Sequence, residues 1–221
     1  MIVTIDGPAG VGKSTAARQL AERLGFDFLD TGAMYRAVAL SCLQRGWSPE
    51  NHDLSARVAA TVKIEALSGH VLCDGRDVSG LIRTPAVSHA ASIVAQNPEV
   101  REALVQQQRE VAASRNIVSE GRDQGTIVFP HAECKFFLTA DPRERATRRH
   151  RELSTAGHHI DIEELIRVQK ERDDRDEMRA IAPLRPADDA QIVDTTHRSP
   201  PEVLDYLVHI VQTQRTASSR S

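Results

Sequence analysis

One stretch near the amino terminus constrains this chain more than any other. Residues 7–14 read Gly-Pro-Ala-Gly-Val-Gly-Lys-Ser, which matches the pattern G-x-x-x-x-G-K-[ST] at every fixed position. The apolar run at residues 1–5 predicts a buried strand before the motif, and residues 16–24 predict a helix after it. A glycine-rich turn in that setting lets backbone N–H groups surround phosphates, and the helix amino terminus adds a favourable dipole. The motif therefore predicts a nucleoside triphosphate site rather than a chance match in a turn.

The motif also assigns roles to individual residues. Lys13 is expected to reach the β- and γ-phosphates, and the Ser14 hydroxyl is expected to ligate Mg²⁺. The residues predicted to bind the nucleotide are Gly7, Pro8, Ala9, Gly10, Val11, Gly12, Lys13, Ser14 and Thr15.

Length and charge limit the class of protein. The 221 residues suffice for one α/β domain with a sizeable core. A net charge of −3 gives no electrostatic case for binding nucleic acid or an anionic membrane. The three cysteines lie far apart and are typical of structural thiols in a reducing compartment. No run approaches the ~18 apolar residues that span a bilayer, so we expect a soluble, cytoplasmic protein.

Strand and helix signals alternate along the chain, which predicts an α/β fold around a parallel sheet. Between two helical stretches, residues 63–67, 71–73 and 78 predict a small antiparallel insert with Ser-Gly and Asp-Gly turns. The other predicted strands are residues 26–29, 116–120, 135–138 and 191–194. The other predicted helices are residues 32–45, 53–62 with Asp53 as a candidate cap, 85–95, 99–113, 143–153, 162–175 and 201–212.

Two polar motifs follow predicted strands at their carboxyl ends, where ligands bind in such sheets. Thr31 can cap the next helix, and Arg36 lies about one and a half turns inside it. The stretch Glu120-Gly-Arg122-Asp123 follows the strand at 117–119, so Glu120 is placed to help hold Mg²⁺ or its water. Each motif alone fits an ordinary cap or turn, but beside a phosphate-binding loop the two together predict a second phosphate site.

Two charged helices add candidate phosphate ligands. Five arginines lie within residues 143–151, which is typical either of a solvated face or of a mobile lid that closes on a transferring phosphoryl group. The sequence does not distinguish Arg145 from Arg148. On the next helix Arg172, Asp176 and Arg179 are spaced four and three apart and share one face. The histidines form no metal-binding pattern, and His158 and His159 lie in the predicted lid loop.

With these residues in hand, the chain resembles the bacterial cytidylate kinases from Ile2 to about Leu207. The resemblance depends on four segments that occur in this order, of which the last three are highly specific. They are Asp6-Gly-Pro-Ala-Gly-Val-Gly-Lys-Ser14, Leu29-Asp-Thr-Gly-Ala-Met-Tyr-Arg36, Gly121-Arg-Asp-Gln-Gly-Thr-Ile-Val-Phe-Pro130, and Arg172-Asp-Asp-Arg-Asp176 with Arg179 and Ala182-Pro-Leu184.

The resemblance implies a three-layer α/β/α P-loop kinase fold with a central parallel sheet, an acceptor-binding insert and a helical lid. The implied core covers about residues 1–30, 98–142 and 161–221, the insert about 31–97, and the lid about 143–160. The implied reaction moves the γ-phosphate of ATP to CMP or dCMP with Mg²⁺ as cofactor. The family also favours a monomer.

The resemblance further implies roles for individual residues. Ser92, Arg101 and Asp123 would recognise cytosine. The acceptor phosphate would be held by Thr31, Arg36, Arg122 and Arg179, with Arg172 and Asp176 at the sugar and phosphate. The implied catalytic set is Lys13, Arg122, Arg179 and Arg148.

Base chemistry supports this assignment independently. A carboxylate such as Asp123 accepts from the N4 amino group of cytosine, and a guanidinium such as Arg101 donates to N3 or O2. Uracil exchanges hydrogen-bond donor and acceptor at positions 3 and 4. Each group that is then mispaired would cost roughly 1–3 kcal/mol of binding free energy. We therefore predict a preference for CMP over UMP. Gln124 stands where an apolar residue is usual in the family, and the sequence offers no reason for it.

Three alternatives stay open at this point. Another small acceptor, such as AMP, UMP or shikimate, would use the same loop, although the insert and the Gly121-Arg-Asp123 turn argue against it. A GTPase-type switch would need an Asn-Lys-x-Asp segment, which this sequence lacks. A module that regulates nucleic acid conflicts with the acidic balance.

Overall fold

Helices cover both faces of one mixed sheet in the part of the chain that the structure, a computed structural model, describes: residues 1–155, 157 and 160–218. His158 and His159 lie outside the described residues. The strands are β1 (Ile2–Asp6), β2 (Asp27–Asp30), β3 (Ile64–Leu67), β4 (His70–Cys73), β5 (Arg76–Asp77), β6 (Ile117–Glu120), β7 (Cys134–Thr139) and β8 (Gln191–Asp194). The helices are α1 (Lys13–Leu24), α2 (Thr31–Gln44), α3 (His52–Thr61), α4 (Pro85–Val94), α5 (Pro98–Ala112), α6 (Pro142–Thr155), α7 (Ile162–Glu177) and α8 (Pro200–Ser218).

The strand order in the sheet is β5-β4-β3-β2-β6-β1-β7-β8. The five strands from β2 to β8 in this order are parallel, as predicted. Strands β3, β4 and β5 are antiparallel, and β3 joins the edge of β2 through the pair Leu29 and Leu67. The predicted antiparallel segment is therefore continuous with the main sheet. The join gives the free edge of β2 a partner, and an open edge would otherwise invite pairing with another chain.

Side-chain alternation along the strands builds the three layers. Val3 and Ile5 of β1 face α1 and α8, where Leu20 and Leu207 are fully buried. On the opposite face, Ile117 of β6 packs with helices α2 to α5. The predicted three-layer α/β/α arrangement is confirmed. It places the carboxyl ends of β1, β2 and β6 at one edge, directly beside the loop at residues 7–12.

Two predicted helix caps are wrong by one or two positions. Asn51 caps α3 by accepting from the Leu54 amide at 3.1 Å, whereas the predicted cap, Asp53, lies inside the first turn. Asp30 caps α2 by accepting from the Ala33 amide at 2.8 Å, and Thr31 is the first helical residue. Both true caps have the extended or near-extended backbone that an N-cap requires, with the side chain three residues before the amide it accepts from.

Helix α7 ends at Glu177, so Arg179 lies just beyond it instead of on its last turn. No described helix has the length and apolar character needed to cross a bilayer.

Candidate active site

The glycine-rich loop wraps around the space above the amino terminus of α1. Gly7, Gly10 and Gly12 have φ values of 141°, 80° and 92°, a region that residues other than glycine rarely adopt. A Cβ at Gly7 would also collide with the Leu138 carbonyl of β7. The loop therefore needs glycine both for its turns and for its close approach to the sheet.

Lys13 is buried at the first position of α1 and donates from Nζ to the Pro8 carbonyl at 2.6 Å. Burial, which disfavours the ammonium form, and the nearby guanidinium groups of Arg122 and Arg172 together lower the pKa of Lys13 to about 7. The side chain thus lies in a pocket with a surplus of positive groups. An anion such as a polyphosphate would relieve that repulsion.

Ser14 and Glu120 place two oxygen atoms suited to metal ligation next to Lys13. The Ser14 hydroxyl donates to Glu120 Oε1 at 2.6 Å, and Glu120 ends β6, as the sequence predicted. Among the described residues no group of three or more His, Cys, Asp or Glu side chains could hold a metal. A hydroxyl and one carboxylate fit Mg²⁺, which usually takes one or two protein ligands together with phosphates and water.

A cavity of about 230 Å³ lies beside this pair and is lined by all nine residues predicted to bind the second substrate. They are Thr31, Arg36, Ser92, Arg101, Arg122, Asp123, Arg172, Asp176 and Arg179, and Lys13 and Ser14 line the same cavity. The structure therefore brings together residues from α2, α4, α5 and α7, from the turn after β6 and from the segment after α7. What each one binds stays a prediction.

Arg36 projects into the cavity from the second turn of α2. Its Nη2 lies 3.2 Å from Asp30 Oδ2, so the residue that caps the helix also orients the guanidinium. Thr31 donates to the Glu120 carbonyl at 2.6 Å, which ties α2 to the end of β6 instead of capping the helix. The Nε atoms of Arg36 and Arg172 are buried without a hydrogen-bond partner among the described residues. Unpaired donors of this kind suit an anionic ligand.

Asp176 organises the arginines at the centre of the cavity. It accepts from Arg122 Nε at 2.8 Å and lies 3.3 Å from Arg179 Nη2. Although burial opposes ionisation, Arg122 and Arg179 hold the pKa of Asp176 below its usual value. Burial and the neighbouring Arg122 lower the pKa of Arg172 to about 10. Asp176 thus stays ionised and offsets only part of the positive charge.

Arg101 and Asp123 form a buried ion pair at the other end of the cavity. The Arg101 guanidinium also lies over the ring of Tyr35, 5.7 Å from its centroid. Burial raises the pKa of Asp123, against the opposite effect of Arg101. The pair presents an acceptor and donors side by side in a buried setting.

The structure distinguishes Arg145 from Arg148, both on α6, which the sequence could not do. Arg145 is buried, pairs with Asp173 and donates to the Ala9 carbonyl of the loop at 3.1 Å. Arg148 donates to the Thr195 carbonyl at 2.6 Å. It lines a separate cavity of about 580 Å³, on the outer side of the loop. The structure thus places the predicted catalytic residue Arg148 outside the cavity that holds Lys13, Arg122 and Arg179.

Several residues of the site were missed by sequence reasoning. Asp6 accepts from the amides of Gln124 and Gly125 at 2.9 and 2.8 Å and so fixes the turn after β6. Asp173 holds Arg145, and Arg175 donates to Ser92. The signal was present for Asp173 and Arg175, because both lie inside the segment Arg172–Asp176, but periodicity alone favoured the other face.

The structure explains why a polar residue, Gln124, stands at this position. Its side chain is buried, accepts from the Ser119 hydroxyl at 2.7 Å and donates to Gln108 Oε1 at 3.4 Å. It begins a single π-helical turn, Gln124–Val128, immediately after the charged Arg122 and Asp123. A buried polar group is tolerated there because it has partners on β6 and α5.

Comparison with known proteins places this site in a family. The cytidylate kinase family profile matches residues 3–213. The cytidylate kinase of Rhodopirellula baltica is 46% identical over 96% of this chain and 93% of its own length. That of Carboxydothermus hydrogenoformans is 47% identical over 96% and 97%.

Among solved structures, a gluconokinase from Sinorhizobium meliloti covers 99% of this chain and 96% of its own, with a TM-score of 0.51 and 16% identity. The shikimate kinase of Bacteroides thetaiotaomicron covers 96% of this chain and 98% of its own, with a TM-score of 0.51 and 12% identity. At such identities these two show the shared kinase fold alone. The family match and the two relatives at 46% and 47% identity show that this chain belongs to the cytidylate kinase family.

Proposed function

We propose that this protein transfers the γ-phosphoryl group of ATP to CMP or dCMP, giving ADP and CDP or dCDP. The observation that carries the proposal is the cavity beside Lys13, which has a cluster of guanidinium groups at one end and a donor–acceptor pair at the other. A nucleoside monophosphate has the same polarity, with a dianionic phosphate at one end and a hydrogen-bonding base at the other.

The phosphate end is Arg36, Arg122, Arg172 and Arg179, of which Arg36 pairs with Asp30, and Arg122 and Arg179 share Asp176. We assign the acceptor phosphate to this cluster. Thr31, which donates to the Glu120 carbonyl, fixes the position of the strand end that faces it. We also assign the sugar of the acceptor to Asp176 and Arg172.

The base end is Arg101, Asp123 and Ser92. Asp123 can accept from an exocyclic amino group, and Arg101 can donate to an adjacent ring nitrogen or carbonyl. Cytosine offers that order of groups and uracil offers the reverse. We assign cytosine recognition to these three residues, with UMP as the poorer substrate.

The chemistry requires positioning and positive charge. The attacking oxygen belongs to the acceptor phosphate and is already ionised at pH 7, so no strong general base is needed. Lys13, Arg122 and Arg179 are placed to stabilise charge on the transferring group. When bound at Ser14 and Glu120, Mg²⁺ supplies further charge neutralisation on the phosphates.

The outer cavity suits the rest of ATP. It is lined by the loop, by Arg148 and Arg151 of α6, and by residues 195–198 after β8. We assign the donor nucleoside to this cavity and Arg148 to the donor side. We further propose that residues of about 31–97 act as the acceptor-binding unit and about 143–160 as a lid, and that the protein acts as a cytoplasmic monomer.

Substitution of Lys13 tests the proposal. We expect Lys13→Ala to lose phosphoryl transfer by at least about 1,000-fold while its far-UV circular dichroism and melting temperature stay close to those of the parent protein. Arg167→Ala is the matched control, because in the described part of the chain Arg167 pairs with Glu164 and Glu171 on the exposed face of α7. Normal turnover by Lys13→Ala would refute the assignment.

A further inference from the structure

Arg175 links two parts of the molecule and has no part in the phosphate cluster. It lies on α7, where its Nε donates to the Glu171 carbonyl at 3.1 Å. Its Nη1 donates to the Ser92 hydroxyl of α4 at 2.9 Å, across 83 positions of sequence. Ser92 lines the acceptor cavity together with Asp123 and Arg101. Arg175 therefore contacts the base end of the cavity from behind Ser92.

The hydrogen bonds of Ser92 fix what its hydroxyl can offer. A hydroxyl has one proton and two lone pairs. The proton of Ser92 is donated to the His89 carbonyl at 2.8 Å. One lone pair accepts from Arg175. A single lone pair remains for the cavity, so Ser92 meets a substrate as an acceptor only.

We infer that Arg175 is a positioning residue. By keeping the Ser92 hydroxyl an acceptor only, it strengthens the preference for a substrate base that presents an amino group over one that presents a carbonyl. The inference rests on the proposed function. The amino group of cytosine carries two hydrogens, enough for both Asp123 and Ser92. The carbonyl of uracil would face lone pairs on both residues.

Arg175 is needed because the His89 carbonyl holds Ser92 from one side only. Ser92 is only partly buried, so its side chain can change rotamer when the second contact is removed. A hydroxyl released in this way can turn its proton toward the cavity and donate to a carbonyl. Loss of the guanidinium should thus weaken discrimination without touching the phosphate end.

The test is a double-mutant cycle on kcat/KM for CMP and for UMP, with the parent protein, Arg175→Met, Ser92→Ala and the double variant. We expect Arg175→Met to lower the CMP-to-UMP ratio of kcat/KM roughly tenfold, mainly through the KM for CMP, which corresponds to about 1.4 kcal/mol. Ser92→Ala should lower the ratio at least as much. Adding Arg175→Met to Ser92→Ala should change the ratio no further.

Two further variants separate positioning from general damage. Arg175→Lys keeps a charged donor and should restore part of the ratio. Arg167→Met removes an arginine from the exposed face of the same helix and should leave the ratio unchanged.

Two results would overturn the inference alone: an unchanged ratio in Arg175→Met, or an equal loss with and without the Ser92 hydroxyl. Failure of the parent protein to phosphorylate CMP would instead overturn the proposed function and the inference with it.

Discussion

At the scale of single residues, we propose that Asp123 carries the choice of base. It is buried beside Arg101, and its carboxylate is the acceptor that cytosine N4 requires. We expect Asp123→Ala to lower kcat/KM for CMP by roughly 10- to 100-fold, corresponding to about 1–3 kcal/mol, and to lower that for UMP much less. Initial rates with both substrates check this. An equal loss for CMP and UMP would remove Asp123 from base recognition.

Lys13 should couple nucleotide binding to proton uptake. Its pKa of about 7 leaves the amine mostly neutral at pH 8, because burial and nearby arginines disfavour the ammonium form. A bound polyphosphate favours the ammonium form and so raises the pKa of Lys13. Nucleotide binding is therefore accompanied by uptake of a proton from solvent.

We expect uptake of about one proton per Mg·ATP at pH 8, measured by calorimetry in two buffers with different ionisation enthalpies. Lys13→Arg stays charged throughout and should show none. Equal heats in both buffers for the parent protein would contradict the assignment.

At the scale of elements, the turn after β6 depends on a buried polar contact. Gln124→Leu would leave the Ser119 hydroxyl without its acceptor. We expect it to lower the free energy of unfolding by about 1–3 kcal/mol in urea titrations. Gln124→Leu with Ser119→Ala should recover part of that loss, since the Ser119 hydroxyl is then no longer left unpaired, although Gln108 still lacks its partner. Unchanged stability in Gln124→Leu would show that the contact contributes nothing.

The phosphate-binding loop offers a matched pair of glycines. Gly7→Ala and Gly12→Ala both place a side chain at a positive φ, but only at Gly7 does the new Cβ meet the backbone of β7. We expect Gly12→Ala to cost about 1–2 kcal/mol from backbone strain alone. Gly7→Ala should lower the melting temperature clearly further. Equal melting temperatures would indicate that the loop moves away from Leu138 at little cost.

The sequence predicted the elements well because their signals are local. A short apolar run and the loop motif identified β1 and α1, and the alternation of strand and helix signals predicted the parallel sheet. The three-layer arrangement was implied by the family resemblance. The caps were the weak point: Asp53 was predicted where Asn51 is the cap, and Thr31 where Asp30 is. Polar residues stand next to one another at both starts, and only the backbone conformation decides which of them turns back onto the helix.

The site was predicted less completely, since its remaining parts depend on contacts between distant segments. The nine substrate residues lie in one cavity, but neither the pairing of Arg145 with Asp173 nor that of Arg175 with Ser92 follows from spacing. The same holds for Gln124, whose partner Gln108 comes from α5. Spacing indicates which residues share a face of one helix, and tertiary packing decides which face meets the ligand.

At the scale of the whole molecule, the cavity to which we assign the acceptor lies between the parallel sheet, α4 and α7. Strand β3 joins β2 through one residue pair, so the antiparallel strands are attached to the sheet by a narrow connection. The cavities on the two sides of the loop are both lined by residues of one chain. We expect sedimentation equilibrium to give one species near 24.4 kDa. A stable dimer would require reassessment of which surfaces close the site.

The most direct test of the account is the rate of ADP formation from ATP and Mg²⁺ with CMP, dCMP, UMP, AMP and GMP offered separately. We predict strong turnover with CMP and dCMP, weak turnover with UMP, and none above background with AMP or GMP. Preference for any other acceptor, or no turnover with CMP and dCMP, would contradict the assignment of Arg101 and Asp123 to cytosine.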